Sequence, residues 1–124
     1  MDGQKTNGLS KMGLSDISKE FKLINSFTAT SELAFALMLS LNRKLIPASI
    51  EVSKGLWGRE KFQGFQLLGK TLGIVGLGRL GKISAKIGKG FGMNIIANDI
   101  KKIKHDNIKM VSLQKLASQS DIIF

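Results

Sequence analysis

The chain has 124 residues, no cysteine and a formal net charge of +10 carried almost wholly by lysine. This length fits one small domain, and the lack of thiols excludes disulfides and thiolate metal sites and fits a reducing cytoplasm. The start Met1-Asp2-Gly3-Gln4-Lys5 lacks an apolar signal core, and the longest apolar stretch, Leu33 to Leu41, is interrupted by Ser40 and too short to span a bilayer.

Residues 1 to about 20 are polar, rich in Gly, Ser and Lys, and are expected to be irregular. Phe21-Lys22-Leu23-Ile24 reads as a short strand or packed strap. Thr28 and Thr30 offer N-cap oxygens and Glu32 suits a first turn, so a helix is expected from there to about Lys44. Leu33, Leu37 and Leu41, with Ala34, Met38 and Leu45, recur at helical spacing. Being apolar nearly all round, this helix is expected to be buried on several sides. Pro47 opens a shorter helix to about Gly55, and an irregular connector follows over Lys61 to Gly69.

A strand is expected over about Thr71 to Val75, then a helix from Arg79 to about Lys89. Leu80, Ile83 and Ile87 are placed inward, with Lys82, Lys86 and Lys89 on a solvated face. Gly90 to Gly92 ends the helix. A second strand covers about Met93 to Asn98, and a basic loop runs from Ile100 to Lys109. Met110-Val111 is a very short strand, Ser112 caps a helix with Leu113, Leu116 and Ala117, and Asp121 to Phe124 begins another buried strand. The order defines an α/β chain: a partial doubly wound (Rossmann) parallel sheet with an apolar N-terminal helix.

The chemistry concentrates in Thr71-Leu72-Gly73-Ile74-Val75-Gly76-Leu77-Gly78-Arg79-Leu80-Gly81. An apolar run leads into GxGxxG, a helix follows, and Asp99 closes the next apolar run. Gly76 permits the sharp turn out of the strand. Gly78 lets backbone approach a pyrophosphate, and Gly81 lets helix and strand pack closely. The helix starting near Arg79 aims free N–H groups and a positive dipole end at phosphates, and Arg79 adds a cation. Asp99 suits the adenosine ribose hydroxyls and repels a 2′-phosphate, which favours NAD over NADP, although Lys101 and Lys102 pull the other way. The expected cofactor is NAD. The alternative for the motif alone is a ligand-free glycine turn in a βαβ unit, which needs neither the spacing nor the acid.

Nucleic-acid binding finds less support. The lysines are spread along the chain, the arginines are Arg43, Arg59 and Arg79 alone, and there is no tyrosine. No metal site is expected. His105 sits in a lysine-rich loop and reads as a solvated residue.

Leu68-Gly69-Lys70 and the glycine segment after it, with Phe91-Gly92-Met93, Ser112-Leu113 and Asp121-Ile122-Ile123, resemble the D-isomer-specific 2-hydroxyacid dehydrogenase family, phosphoglycerate dehydrogenase included. The helix from Thr30 to Leu39 and the Gly55-Leu56-Trp57 segment with Arg59 match as well, so the resemblance covers about residues 25–124. It implies a nucleotide-binding domain inserted in a substrate-binding domain, and hydride transfer between NAD and a 2-hydroxy or 2-keto acid. Cofactor-binding roles fall on Gly76, Gly78, Arg79, Leu80, Gly81 and Asp99. Asn98 and Ile100 depart from the aromatic residue and proline that family members often place around the acid.

By the same resemblance the catalytic arginine, glutamate and histidine lie downstream of the Asp121–Phe124 segment, so no catalytic residue is assigned. Residues 1–27 are expected to be an irregular leader or a remnant of the substrate domain, and 28–124 an incomplete NAD-binding domain. Arg43 and Arg59 suit salt bridges or solvent contacts, and Glu32 a helix start. Trp57 suits core or interface, and a homodimer is expected of a complete relative. The readings that remain are a fragment of a cytoplasmic dehydrogenase, a non-catalytic NAD-binding module or subunit, and a basic nucleic-acid-binding protein.

Overall fold

The structure, a computed structural model, describes residues 14–124 apart from Ile103 and Asp106. Helix α1 (Leu14–Asn42) leads to α2 (Leu45–Ser53) and a 3₁₀ turn at Arg59–Phe62. Strand β1 (Thr71–Val75), α3 (Arg79–Gly90), β2 (Asn94–Asn98), β3 (Lys109–Met110), α4 (Leu113–Gln119) and β4 (Ile122–Ile123) follow. The strands form one parallel sheet in the order β3-β2-β1-β4. Chain direction across the sheet therefore reverses between β1 and β4, which is where open α/β sheets bind ligands.

Burial on both faces explains the unbroken apolar strands. Leu72, Gly73 and Ile74 of β1 and Ile95, Ile96 and Ala97 of β2 are all buried, with Leu72 opposite Ile95 and Ile74 opposite Ala97. Helix α3 covers the Leu72 face, since a Cβ at Gly88 would meet the Leu72 and Ile95 side chains. Helix α4 covers the other face, since a Cβ at Gly73 would run into Ser120 and Leu116. Ser112 caps α4 as expected, its Oγ accepting the Lys115 N–H at 3.3 Å.

Three expectations about packing need correction. The buried residues of α3 are Gly81, Ser84, Ala85 and Gly88, whereas Leu80 is exposed and Ile83 and Ile87 are half-buried. The helix lies so close to the strands that only small side chains fit beneath it. Second, α1 begins at Leu14, so residues 14–20 are not irregular and Phe21–Ile24 is neither strand nor strap. Residues 1–13 lie outside the described residues. Leu14, Ile17, Phe21 and Ile24 follow steps of three and four residues, a helical period that the short polar runs between them conceal. Thr28, Thr30 and Glu32 are consequently interior to the helix, and Thr30 Oγ1 donates back to the Ser26 carbonyl at 2.8 Å rather than capping.

Third, α1 is not buried on several sides. Ser31 and Phe35 are buried against α3 and the core, while Leu33, Leu37 and Leu41 are 60%, 58% and 81% exposed. Ser31 and Ser84 join hydroxyls at 3.1 Å across the α1–α3 contact. Phe35 stacks on Phe91 and meets Phe124 edge-on. The turn from α1 into α2 is braced: Asn42 Oδ1 accepts the Phe65 N–H at 3.0 Å and its Nδ2 donates to the Phe65 carbonyl at 2.8 Å. Lys44, in the left-handed region at φ 51°, reaches the Lys61 carbonyl, and Lys61 pairs with Glu51.

Candidate functional site

The loop after β1 is shaped by its own sequence. Gly76 turns the chain at φ 95°, a conformation side chains disfavour, and its N–H donates to the Asn98 carbonyl at 2.8 Å. The Leu77 side chain is fully buried and pins the loop to the core. Its N–H donates to Asp99 Oδ2 at 2.8 Å, while Asp99 Oδ1 accepts the Lys101 N–H at 2.8 Å. Those amides, Lys101 first and then Leu77, hold the half-buried carboxyl below its ordinary pKa against the opposing pull of desolvation.

Gly78 and Gly81 divide the remaining work. A Cβ at Gly81 would collide with the Gly76 carbonyl oxygen and press on Ile74, so helix and loop close up only with glycine there. A Cβ at Gly78 would meet nothing within 4 Å, so the backbone faces open space. Gly78 is also the N-cap of α3, and among the described residues no side chain caps the N–H groups of its first turn. The first-turn N–H groups are therefore presented outward with the positive end of the helix dipole.

Two cavities flank this loop and share Val75, Gly76, Gly78 and Arg79 in their linings. The one on the β2 side, about 580 Å³, adds Leu77, Lys82, Asn98, Asp99, Ile100 and Lys101. The one on the β4 side, about 460 Å³, adds Phe27, Ile74, Leu80, Gly81, Ser84 and Phe124 and is mainly apolar. All six residues expected around the cofactor thus come together at one groove: Gly76, Gly78 and Arg79 between the halves, Leu80 and Gly81 on one side and Asp99 on the other.

Sequence reasoning did not single out Phe27, Lys82 or Phe124 as lining residues. Lys82 stands three residues after Arg79 on the same helix, a spacing that places both near one edge. Phe27 and Phe124 reach the groove only through the packing of α1 and β4, and no local pattern announces that. Arg43 and Arg59 line a different cleft, with Glu60, Phe62, Gln63 and Gly64. Trp57 is 82% exposed and so is not core. His105 is half-buried rather than solvated, and its Nδ1 is shielded from water. No group of acidic, histidine or cysteine side chains suited to a metal occurs among the described residues.

The groove fits a dinucleotide. Unobstructed backbone at Gly78 and the uncapped start of α3 leave room for a phosphate-bearing ligand, with a cavity open on either side. A parallel sheet carrying this loop at its reversal point is a Rossmann-type dinucleotide-binding domain. Residues 35–124 match the family model for the D-isomer specific 2-hydroxyacid dehydrogenase, NAD binding domain, and the chain belongs to that family.

The chain is 42% identical over 99 residues to D-3-phosphoglycerate dehydrogenase of Archaeoglobus fulgidus, covering 77% of this chain and 19% of that protein. It is 38% identical over 110 residues to hydroxypyruvate reductase of Thermotoga maritima, covering 85% and 36% respectively. It superposes on NAD-dependent formate dehydrogenase from Staphylococcus aureus in complex with NAD with a TM-score of 0.70 at 29% identity, over 78% of this chain and 30% of that one. This sequence therefore spans about a third or less of these three proteins, the part that is the family's NAD-binding domain.

Proposed function

We propose that this chain holds the cofactor of an oxidoreductase that moves a hydride between NAD and the CH–OH carbon of a 2-hydroxy or 2-keto acid. The carrying observation is the open glycine loop at the start of α3, set between a cavity that Lys82, Asp99 and Lys101 line and one lined mainly by apolar side chains. In this reading the first-turn N–H groups of α3, Gly78 backbone and Arg79 bind the pyrophosphate. Asp99 accepts from the adenosine ribose hydroxyls. Gly76 and Gly81 keep the loop's shape, and Leu80 helps wall the β4-side cavity, where apolar side chains keep water from the nicotinamide. Bound NAD supplies the hydride acceptor, or as NADH the donor.

The β4-side cavity has Arg79 as its one ionisable lining residue among the described residues. A proton carrier and a cation for the substrate carboxylate are both needed for the reaction. We therefore assign cofactor binding to residues 28–124 and no catalytic residue. The same lining favours, as a second reading, a non-catalytic NAD-binding subunit whose partner supplies those groups.

Leu33, Leu37 and Leu41 on α1, Leu45, Ile46 and Ile50 on α2 beyond the braced turn, and Trp57 past the end of α2 are all exposed. In the proposed reading these side chains pack against a second copy, giving a homodimer. Cytoplasmic residence belongs to the same reading. No single described helix is long and apolar enough to cross a membrane.

Titration with NADH, followed by its fluorescence, tests the proposal. Saturable binding that NAD competes away is expected. Tight, salt-sensitive binding of DNA with no response to NADH would replace it with a nucleic-acid function.

A further inference from the structure

The β2 side of the groove rests on one carboxylate that grips two separate pieces of backbone. Asp99 Oδ2 holds the Leu77 N–H in the glycine loop, and Oδ1 holds the Lys101 N–H in the turn after β2, both at 2.8 Å. Both segments line the same cavity. The adjacent loop amide, Gly76 N–H, goes to the neighbouring β2 residue, Asn98, also at 2.8 Å. Successive amides of the loop are thus tied to successive residues at the end of β2. Beyond them, Gly78 is open and α3 is uncapped. Gly76 sits at φ 95° and a Cβ there would meet nothing within 4 Å, so the turn is held by backbone contacts and not by a side chain of its own.

We propose that Asp99 is a positioning residue: it sets the shape of the glycine loop and the spacing of the two cavity walls before any cofactor arrives. This rests on the reading of the groove as an NAD site and adds a role to Asp99 beyond ribose contact. The two roles are compatible. An ionised carboxylate offers about four lone-pair sites, and the backbone amides use two. Hydrogen bonds to an ionised acceptor are the stronger kind, which suits a clamp on a glycine-rich turn. Preformed walls spare the cofactor the cost of ordering them, so losing the clamp weakens every ligand that touches the loop, with or without ribose hydroxyls.

The test is a ligand-by-variant cycle on the full chain. Wild type, Asp99→Ala and Asp99→Asn are titrated with NADH and with an NADH analogue whose adenosine ribose bears hydrogen at both C2′ and C3′. Asp99→Ala is expected to weaken the dideoxy analogue about fivefold or more, with Asp99→Asn intermediate because its amide oxygen keeps one acceptor. If Asp99 acted only through the hydroxyls, the substitution would leave the analogue's affinity unchanged, and that result overturns the proposal.

Amide hydrogen exchange on the ligand-free chain gives a second arm. Leu77 and Lys101 are expected to exchange about tenfold faster in Asp99→Ala, while the β1–β2 ladder keeps its protection. Unchanged exchange at Leu77, or faster exchange throughout the sheet, also overturns the proposal. If wild type binds no NADH, the cofactor reading falls, and exchange at Leu77 still decides whether Asp99 shapes the loop.

Discussion

The inner face of α3 and the outer face of α1 both carry a regular helical repeat, and they meet opposite fates. The repeat on α3 is Gly81, Ser84, Ala85 and Gly88, and every member is buried. The repeat on α1 is Leu33, Leu37 and Leu41, and every member is exposed. Hydrophobicity alone would rank them the other way. Small residues win the interior because the loop before α3 must lie against the strands it leaves, and that fixes the helix within backbone reach of the sheet. The leucines stay outside because Ser31 and Phe35 already fill the side of α1 that meets the domain. One face thus lies under the groove and the other is exposed, and substitutions can separate the two.

The largest expected effect comes from Gly81→Val. Its Cβ would collide with the Gly76 carbonyl oxygen, a backbone atom with no room to yield. A loss of about 3 kcal/mol in stability is expected, together with loss of NADH binding. Thermal denaturation and an NADH titration check both. A variant that kept its Tm would show that α3 does not depend on close approach.

Gly78→Ala sharpens the contrast within the same loop. The added methyl meets nothing within 4 Å, and φ −78° suits alanine. Stability is expected to change by less than about 0.5 kcal/mol. NADH affinity is expected to fall about tenfold or more, because in the proposed reading the methyl occupies the approach to the pyrophosphate. Equal affinity in this variant would take the phosphates away from Gly78.

On the other face, the triple change Leu33→Lys, Leu37→Lys and Leu41→Lys is expected to abolish self-association in sedimentation velocity while NADH affinity stays within about twofold. A wild-type chain that sediments as a monomer at all concentrations would refute the dimer directly.

The glycine loop and its acid were legible because their spacing is fixed by local geometry. Strand, tight turn, helix start and the end of the next strand are all short-range, and β1, α3 and β2 fall within a residue of their expected ends. Even there, the sequence pattern misplaced the buried face of α3. Scoring apolar residues selects Leu80, Ile83 and Ile87, whereas close helix–sheet packing selects glycine, serine and alanine. The errors on α1 have a different cause. Its period is visible from Leu14, but polar residues broke the apolar runs, and two threonines resembled caps where the helix was already several turns long. Which side of α1 is buried depends on α3 and β4, far off in sequence. For the same reason Phe27 and Phe124 could not be assigned to the groove in advance.

The smallest effect separates two acids at opposite ends of the sheet. Asp99 lies past the end of β2 beside the groove, and Asp121 lies just before β4, where its Oδ2 accepts the Thr71 N–H at 2.8 Å and its Oδ1 faces Lys70 Nζ at 3.6 Å. The Thr71 amide is the main cause of the lowered pKa of Asp121. Burial opposes it and the Lys70 charge assists it. Asp99 is lowered by its two amides in the same sense. A carboxyl lowered by folding releases its proton more readily in the native state, so each contribution to stability is complete above the unfolded value of about 3.9. It is lost as pH falls from there through the lower folded value. The Tm is expected to be flat between pH 5 and 7 with respect to these groups and to drop below about pH 4. Asp121→Asn should lower the plateau and make the acid drop shallower, because Asn cannot gain the proton that weakens the native pairing. Its NADH affinity at neutral pH should match wild type, since Asp121 secures the base of the sheet and not the groove. In Asp99→Asn the acid drop should flatten too, with NADH affinity falling at neutral pH. Matching binding losses in the two variants would show that the groove and the base of the sheet are not separable.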